Sequence, residues 1–241
     1  MCGIAAVFNH RSMTPADPEK VADMLRAMGH RGPDHLGVHA DGEAALGAVR
    51  LAIQDLSAPA NQPMSSADRS RVLVYNGEIY NFPELREELV RRGHTFRTRG
   101  DTEVLLHLHE EHGEAMVERL NGMFAFALFD CRRRRLLLGR DRAGQKPLHL
   151  AETGEGLLFC SELAPLLPHL GERRLDPAGV GSYLSLGYAL EPDTVVAGVR
   201  TSRGGGGAPR SVGPPDDLAG PPPEAQFGNA ALTFRPHHPE L

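Results

Sequence analysis

Short apolar segments bounded by turn residues recur along the first 160 residues, and they limit the fold more than any other feature. GIAAVFN at residues 3–9 is a typical buried strand pattern. The other strand-like segments lie at 36–40, 44–54, 71–75, 124–130, 135–141 and 156–162. Since no regular strand–helix alternation is present, these segments predict an α+β fold with mostly antiparallel strands.

A few amphipathic segments interrupt the strand patterns. In residues 18–29 the apolar side chains have helical spacing, and a glycine ends the pattern. Residues 82–92 begin with a proline at an early helical position and precede another glycine, which predicts a second helix. Two further helices are predicted at about 101–112 and 176–186.

Composition and charge exclude several classes of protein. The chain has 241 residues, of which 41% are hydrophobic, enough for one large or two small domains with a core. A net charge of −5 does not favour nucleic-acid binding. No apolar run is long enough for a membrane helix, and no signal peptide precedes the second residue. Three scattered cysteines are typical of a reducing compartment, so a cytoplasmic location is expected.

The composition changes abruptly near residue 200. The 41 residues from 201 to 241 contain 7 glycines and 8 prolines, above the roughly 25–30% that is typical of disordered sequence. The sequence therefore predicts a folded domain over 2–200 and a Gly/Pro-rich tail without fold over 201–241. SRGGGG at 202–207 lacks the strand and helix that flank a phosphate-binding loop, so it is interpreted as part of this tail.

Cys2 is the first candidate for chemistry. Removal of Met1 would place a free α-amine and a thiol on one residue, and the amine could act as the general base that activates the thiol. A cysteine at position 2 can also be incidental. Cys131 and Cys160 fall in strand patterns and are expected to be core thiols. The twelve histidines show no ligand spacing, so no metal is predicted.

Three other short segments carry residues suited to amide chemistry. Asn76 and Gly77 follow a strand and could donate to an oxyanion, although Asn-Gly is also the commonest hairpin turn. Arg50 could clamp a carboxylate through two hydrogen bonds. Asp101 could bind an ammonium group, or it could cap the helix that follows. Taken singly, each structural alternative remains open.

The order of motifs along the chain is more specific than any one of them. MCGI, RGPD, RLAI, NQPM, YNGEIYN, GDTEVLL, LNGMFAFALFD, GRDRAGQKPL and SEL follow one another over about 160 residues. Over residues 2–190 this order closely resembles the N-terminal glutaminase domain of glutamine-dependent asparagine synthetases. These domains are class II glutamine amidotransferases of the N-terminal-nucleophile hydrolase type.

The resemblance implies a fold and a set of roles. The fold is a four-layer αββα sandwich of two antiparallel sheets. Cys2 would be the nucleophile that attacks the glutamine amide, and Asn76 with Gly77 would form the oxyanion hole. The remaining substrate contacts would come from Arg50 at the α-carboxylate, Asp101 at the α-ammonium group, and Glu78 with the backbone around Ile53. This domain needs no cofactor.

Full-length members of the family continue into a synthetase domain that uses ATP and Mg²⁺, and its SGGxDS-type loop is absent from this sequence. A truncated or frame-shifted gene product would have this form. Besides glutamine, the partners left open are a separate synthetase subunit and a second copy of the chain. Two other functions also stay open: an inactive remnant acting at most as an interaction module, and an acylase for another amide.

Overall fold

A computed structural model describes residues 1–202, 210–212 and 229–235. The strands are β1 (Gly3–Phe8), β2 (His35–Asp41), β3 (Ala44–Arg50), β4 (Met64–Ser65), β5 (Arg71–Ile79), β6 (Gly122–Asp130), β7 (Arg135–Arg140), β8 (His149–Glu152), β9 (Leu157–Cys160), β10 (Val199–Thr201), β11 (Arg210–Val212) and β12 (Ala230–Phe234). The helices are α1 (Pro18–Ala27), α2 (Phe82–Arg91), α3 (Thr102–His112) and α4 (Pro177–Leu186).

The strands form two six-stranded sheets. The first has the order β10-β8-β9-β1-β3-β2, and the second has the order β11-β12-β7-β6-β5-β4. All neighbouring strands run antiparallel except β11 and β12, which are parallel. Many paired strands are also neighbours in sequence, such as β2 with β3 and β6 with β7. Local hairpins therefore build much of both sheets.

Three hydrophobic clusters separate four layers. Ile4 and Phe8 of β1 pack between the sheets with Val74 and Phe129 of the second sheet. The outer face of the first sheet packs on α1, and the outer face of the second packs on α2 and α3. Each fully buried side chain of this size stabilises the fold by about 1.5–3 kcal/mol. The architecture is the αββα sandwich that the sequence predicts.

The predicted strands and helices are present with shifted ends. The segment 44–54 is shorter than expected, since β3 ends at Arg50 and an irregular loop follows. In contrast, β5 is longer than predicted and extends to Ile79. The strands β4, β8, β10, β11 and β12 were not predicted, because most are too short to show a periodic pattern. None of the described helices is long and apolar enough to cross a membrane.

The expectation that residues 201–241 have no fold is wrong for the segments that form β11 and β12. Strand β12 pairs with the edge of β7, and its Phe234 side chain is only 2% exposed in the core between the sheets. Asn229 donates from Nδ2 to the backbone oxygens of Val117 and Leu120, both at 2.7 Å. The segment ALTF pairs with β7 although glycines and prolines surround it. For 203–209, 213–228 and 236–241 the expectation lies outside the described residues, and the domain limits stay a prediction.

Candidate active site

A cavity of about 220 Å³ lies where the start of β1 meets the end of β5. Every residue that the sequence singled out lines it: Cys2, Arg50, Ile53, Asn76, Gly77, Glu78 and Asp101. They come from β1, β3 and its following loop, β5, and the start of α3. The fold therefore brings together residues that are up to 99 positions apart in sequence.

Cys2 is placed by the strand that follows it. Side chains alternate along β1, and Ile4, Ala6 and Phe8 point into the space between the sheets, so Cys2 continues the same face. Arg31 fixes the backbone at this point, because its Nε donates to the Cys2 carbonyl oxygen at 2.9 Å while its Nη1 pairs with Glu162 at 2.9 Å. The half-buried thiol lies 3.8 Å from the Leu51 carbonyl oxygen. The nucleophile candidate thus lies on an anchored backbone at the mouth of the cavity.

Asn76 and Gly77 lie within a strand and do not form a hairpin turn. In β5, Asn76 pairs with Ala125 and Gly77 pairs with Phe124 of β6. A Cβ on Gly77 would lie 2.4 Å from the Met123 carbonyl oxygen, which is closer than real Cβ atoms approach. Glycine is therefore required by the close approach of two strands, and the turn interpretation is excluded.

The backbone N–H of Gly77 faces the cavity by strand alternation. Tyr75 N donates to Gln62 Oε1 at 2.6 Å, and Ile79 N donates to Asp101 Oδ2 at 2.9 Å, both away from β6. Because N–H groups of residues two apart point to the same edge, the N–H of Gly77 between them shares this direction. Strand β4 covers this edge only as far as its pairing with Leu73. Because β4 is short, the N–H of Gly77 is left open to the cavity.

The side chain of Asn76 supplies a second donor. Val74 lies two positions earlier and packs between the sheets, so alternation directs Asn76 to the side from which Cys2 approaches. Asn76 is 1% exposed, and its Nδ2 has no hydrogen-bond partner among the residues that the structure describes. An unpaired buried amide costs about 1–3 kcal/mol, a cost that a bound acceptor would remove. Such a pre-positioned donor is typical of an oxyanion hole.

Arg50 at the end of β3 lies 7% exposed in the cavity wall. Its guanidinium donates to Asn61 Oδ1 at 2.7 Å and to the backbone oxygens of Asp55 and Ser57. These three acceptors are neutral and orient the guanidinium. The Asp55 carboxylate is also nearby. Its pKa is lowered chiefly by hydrogen bonds from Arg99 and Ser57 and to a smaller extent by the charge of Arg50. The guanidinium lines the cavity, where it can pair with an anionic group that enters.

Asp101 provides the opposite charge. It immediately precedes α3, but its side chain does not cap the helix; instead it accepts from Tyr75 Oη at 2.5 Å and from Ile79 N at 2.9 Å. Burial raises the pKa of Asp101, while these two hydrogen bonds oppose the rise. The pKa of Tyr75 lies well above its ordinary value, chiefly through burial and then through the charge of Asp101, so the phenol stays a donor. The helix-cap interpretation is wrong for this side chain.

Glu78 and Ile53 lie at the rim. Burial, followed by the nearby charge of Asp101, raises the pKa of Glu78, and its carboxylate accepts a hydrogen bond from Gln54 Nε2. Ile53 lines the cavity although its side chain is 65% exposed, and the contact of its backbone with substrate stays a prediction.

The whole domain matches a known family. A family model described as "Glutamine amidotransferase domain" matches residues 1–208. The chain belongs to the glutamine amidotransferase family. This match confirms the family that the order of sequence motifs predicted.

Relatives of the amidotransferase domain include two asparagine synthetases named as glutamine-hydrolysing. Asparagine synthetase 3 of Bacillus subtilis is 36% identical over 207 residues, which cover 84% of this chain and 34% of the relative. Asparagine synthetase B of Escherichia coli is 40% identical over 185 residues, which cover 76% of this chain and 33% of the relative. The chain therefore spans about a third of the length of these relatives.

Solved structures show the same fold at lower identity. Glutamine phosphoribosylpyrophosphate amidotransferase of Bacillus subtilis has a TM-score of 0.60 and is 22% identical, covering 73% of this chain and 46% of that chain. The regulatory enzyme of purine biosynthesis has a TM-score of 0.57 at 21% identity. The predicted α+β fold of the amidotransferase type is confirmed.

Several residues of the amidotransferase cavity had no role in the sequence interpretation. Gln62 orients β5 through its bond to Tyr75, and Lys146 and Thr98 contribute to the wall. Arg31 lies outside the wall but anchors Cys2. Arg31, Gln62 and Lys146 belong to the quoted motifs RGPD, NQPM and GRDRAGQKPL, respectively. Tyr75 belongs to YNGEIYN, and Thr98 lies in none of the quoted motifs. The signal was therefore present, but motif order alone does not show which side chain faces the cavity.

The other two cysteines lie away from the amidotransferase cavity. Cys160 in β9 is fully buried, as predicted for a core thiol, and burial raises its pKa to about 12. Cys131 follows β6 in a turn and is only half-buried, so its assignment to a strand is wrong. Burial raises the pKa of Cys131 to about 12 as well. Neither thiol is suited to act as a nucleophile at neutral pH.

Proposed function

We propose that this chain hydrolyses glutamine to glutamate and ammonia through a γ-glutamyl thioester on Cys2. The observation that carries the proposal is the unpaired, buried Asn76 Nδ2 in the same cavity as the Cys2 thiol. A nucleophile and an uncommitted oxyanion donor in one cavity are the two requirements for acyl transfer at an amide.

The opposite charges of Arg50 and Asp101 support glutamine as the substrate. Both side chains are held by neutral hydrogen-bond partners and lie in the wall of one cavity. An α-carboxylate beside Arg50 and an α-ammonium group beside Asp101 would compensate both charges. An acylase for a simple amide needs no such pair, which favours a free amino acid with a side-chain amide.

The first chemical step forms the thioester. The Cys2 thiolate attacks the γ-carboxamide carbon, and the carbonyl π electrons move to the oxygen. Asn76 Nδ2 and the Gly77 N–H stabilise this oxyanion. The α-amine of Cys2, once Met1 is removed, takes the thiol proton and returns it to the leaving nitrogen, so that the C–N bond breaks and ammonia departs.

The second step releases glutamate. A water molecule gives a proton to the same α-amine and attacks the thioester carbon, and the C–S bond breaks to restore the thiol. Removal of Met1 is part of the proposal, because only then does Cys2 carry a free amine. Met1 is 58% exposed, and its Sδ lies 3.1 Å from Lys146 Nζ, so the residue to be removed is open to solvent at the cavity wall.

The ammonia has a proposed destination. In a complete asparagine synthetase the ammonia would reach an activated aspartate and yield asparagine, with ATP and Mg²⁺ used by a synthetase domain. A separate synthetase subunit and a homo-oligomer are the two assemblies proposed. A cytoplasmic location is part of the proposal, because the nucleophile must remain a reduced thiol.

A substrate–variant cycle tests this function. Glutamate release from glutamine is compared with hydrolysis of glutaramate, which has the same carboxamide and carboxylate but lacks the ammonium group. We expect glutaramate to have a kcat/KM about 10- to 100-fold below that of glutamine, the worth of one hydrogen bond to a charged group. Asp101→Asn should lower kcat/KM for glutamine by a similar factor and leave glutaramate nearly unchanged.

The outcomes separate the competing functions. An Asp101→Asn variant that loses the same factor on both substrates contradicts the ammonium contact and assigns Asp101 a structural role. Equal rates for glutamine and glutaramate in the unsubstituted chain favour an acylase. No hydrolysis of either substrate by chain that has lost Met1 favours an inactive remnant.

A further inference from the structure

Two histidines and a glutamate meet on the outer face of the second sheet, away from the cavity. His107 and Glu110 lie three residues apart on α3, and His94 lies in the loop after α2. The sequence predicted no metal because its twelve histidines show no ligand spacing, and His94 and His107 are thirteen residues apart. The packing of the loop against α3 creates the cluster.

The three ligand atoms have the spacing of a metal's coordination sphere. His94 Nδ1 lies 3.0 Å from His107 Nδ1 and 3.4 Å from Glu110 Oε2, and His107 Nδ1 lies 2.8 Å from that same oxygen. Zinc bonds of about 2.0–2.1 Å in a tetrahedral arrangement place two ligand atoms about 3.3 Å apart. We propose that His94, His107 and Glu110 bind one zinc ion.

The surrounding carboxylates favour the required tautomers. His94 Nε2 lies 2.9 Å from Glu111 Oε1, so its proton belongs there and Nδ1 keeps its lone pair. Within the described part of the chain, His107 Nε2 is buried without a hydrogen-bond partner, and it lies 3.9 Å from Glu103 Oε1. With Nδ1 on zinc, the proton of His107 is on Nε2 and faces this carboxylate. A histidine that binds zinc commonly directs its other nitrogen to a carboxylate in this way.

With both imidazoles neutral, the cluster has fewer ring N–H groups than hydrogen-bond acceptors. If His94 keeps its proton on Nε2, a single N–H on His107 Nδ1 must serve both His94 Nδ1 and Glu110 Oε2. It then leaves the buried Nε2 of His107 without a proton or a partner. A zinc ion accepts all three lone pairs at once.

Access and charge are suited to an exchangeable ion. The side chains of His94, His107 and Glu110 are 15%, 11% and 25% exposed, so solvent reaches the cluster and water can take the fourth position. Arg71 contacts the other oxygen of Glu110 at 3.4 Å, and Arg92 pairs with Glu111 at 3.0 Å. These cations orient the carboxylates but reduce the negative potential. Three protein ligands with an open position are typical of accessible zinc sites.

Zinc at this position would fix one end of the loop that leads to the amidotransferase cavity. His94 begins the segment that continues through Thr98 to Asp101. The carboxylate of Glu103 already holds the middle of this segment by accepting from the backbone N–H of Arg97 and Thr98. The ion would therefore join the start of this loop to α3.

The test uses the full chain without an affinity tag and carrying Cys2→Ala, because an N-terminal amine and thiol can themselves chelate zinc. Calorimetric titration of the metal-free protein with Zn²⁺ should show one equivalent bound. His94→Ala and His107→Ala should each weaken binding at least about 100-fold, and Glu111→Gln should weaken it about 10- to 100-fold. His39→Ala, on the distant strand β2, is the matched control and should bind as before.

A second measurement guards against misfolding of the variants. Zn²⁺ should raise the thermal midpoint of the Cys2→Ala chain, and the rise should be absent in His94→Ala, whose substitution lies in a loop. Failure of the Cys2→Ala chain to bind zinc overturns the proposal. Undiminished binding by His94→Ala and His107→Ala overturns it too. None of these results depends on glutamine hydrolysis.

Discussion

The Cys2→Ala chain is expected to release no measurable glutamate from glutamine, a loss of at least about 10⁴-fold in kcat. Alanine removes the sulfur that forms the acyl bond but leaves a small residue at position 2, so Met1 can still be removed and the α-amine is retained. The backbone anchor is also unchanged, because Arg31 binds the carbonyl oxygen of residue 2 and not its side chain. Glutamate release by both chains, with intact masses to verify the N-terminus, measures the effect.

Cys131→Ala is the matched control for this substitution. Cys131 is half-buried like Cys2. Met123 near the start of β6 lines the cavity, whereas Cys131 follows the other end of this strand. The control should therefore keep the full rate of hydrolysis. If Cys2→Ala retained activity and Cys131→Ala lost it, the assignment of the nucleophile would be wrong.

Asn76→Ala is expected to lower kcat about 10²- to 10³-fold with little change in KM. The Nδ2 donor meets the carbonyl oxygen most strongly when that oxygen carries a full charge, so its removal affects the transition state more than the bound substrate. Stability should fall by no more than about 1 kcal/mol, because the substitution also removes a buried amide that lacks a partner. Steady-state kinetics and urea unfolding measure the two effects.

Asn76→Asp and Asn121→Ala complete this experiment. Aspartate keeps the shape of the side chain but directs a negative oxygen toward the oxyanion, so it should lose at least as much kcat as alanine. Asn121 is exposed before β6 and should tolerate alanine without kinetic effect. A rise in KM at constant kcat for Asn76→Ala would contradict the oxyanion role and indicate ordinary substrate binding.

Local pattern predicted most of the fold because both sheets are built largely from neighbouring strands. The hairpin around CRRRR and the helix α1 could be predicted from local sequence alone, without knowledge of tertiary contacts. Strand β12 was missed because its pairing partner β7 lies about ninety residues earlier and its surroundings are rich in glycine and proline. Local sequence does not reveal an open sheet edge that such a segment can cover.

In the candidate site, too, some features could be predicted from the sequence and others depend on tertiary contacts. The sequence identified Cys2, Arg50 and Asp101 by residue type and motif order, and the structure places all three around one cavity. Asn76-Gly77 has the composition of a turn, yet β6 continues the pairing through it, so tertiary contacts decide between turn and strand. The histidine cluster could not be predicted, because it depends on how one loop packs against α3.

The most direct test of the account is the intact mass of the chain after reaction with a glutamine analogue that carries a chloromethyl ketone in place of its amide. The expected product is a protein that lacks Met1 and carries one covalent adduct. Peptide mapping should locate that adduct on Cys2, and excess glutamine should prevent it. An adduct on Cys131 or Cys160, or an adduct unaffected by glutamine, would contradict the account. So would a chain without Met1 that forms no adduct at all.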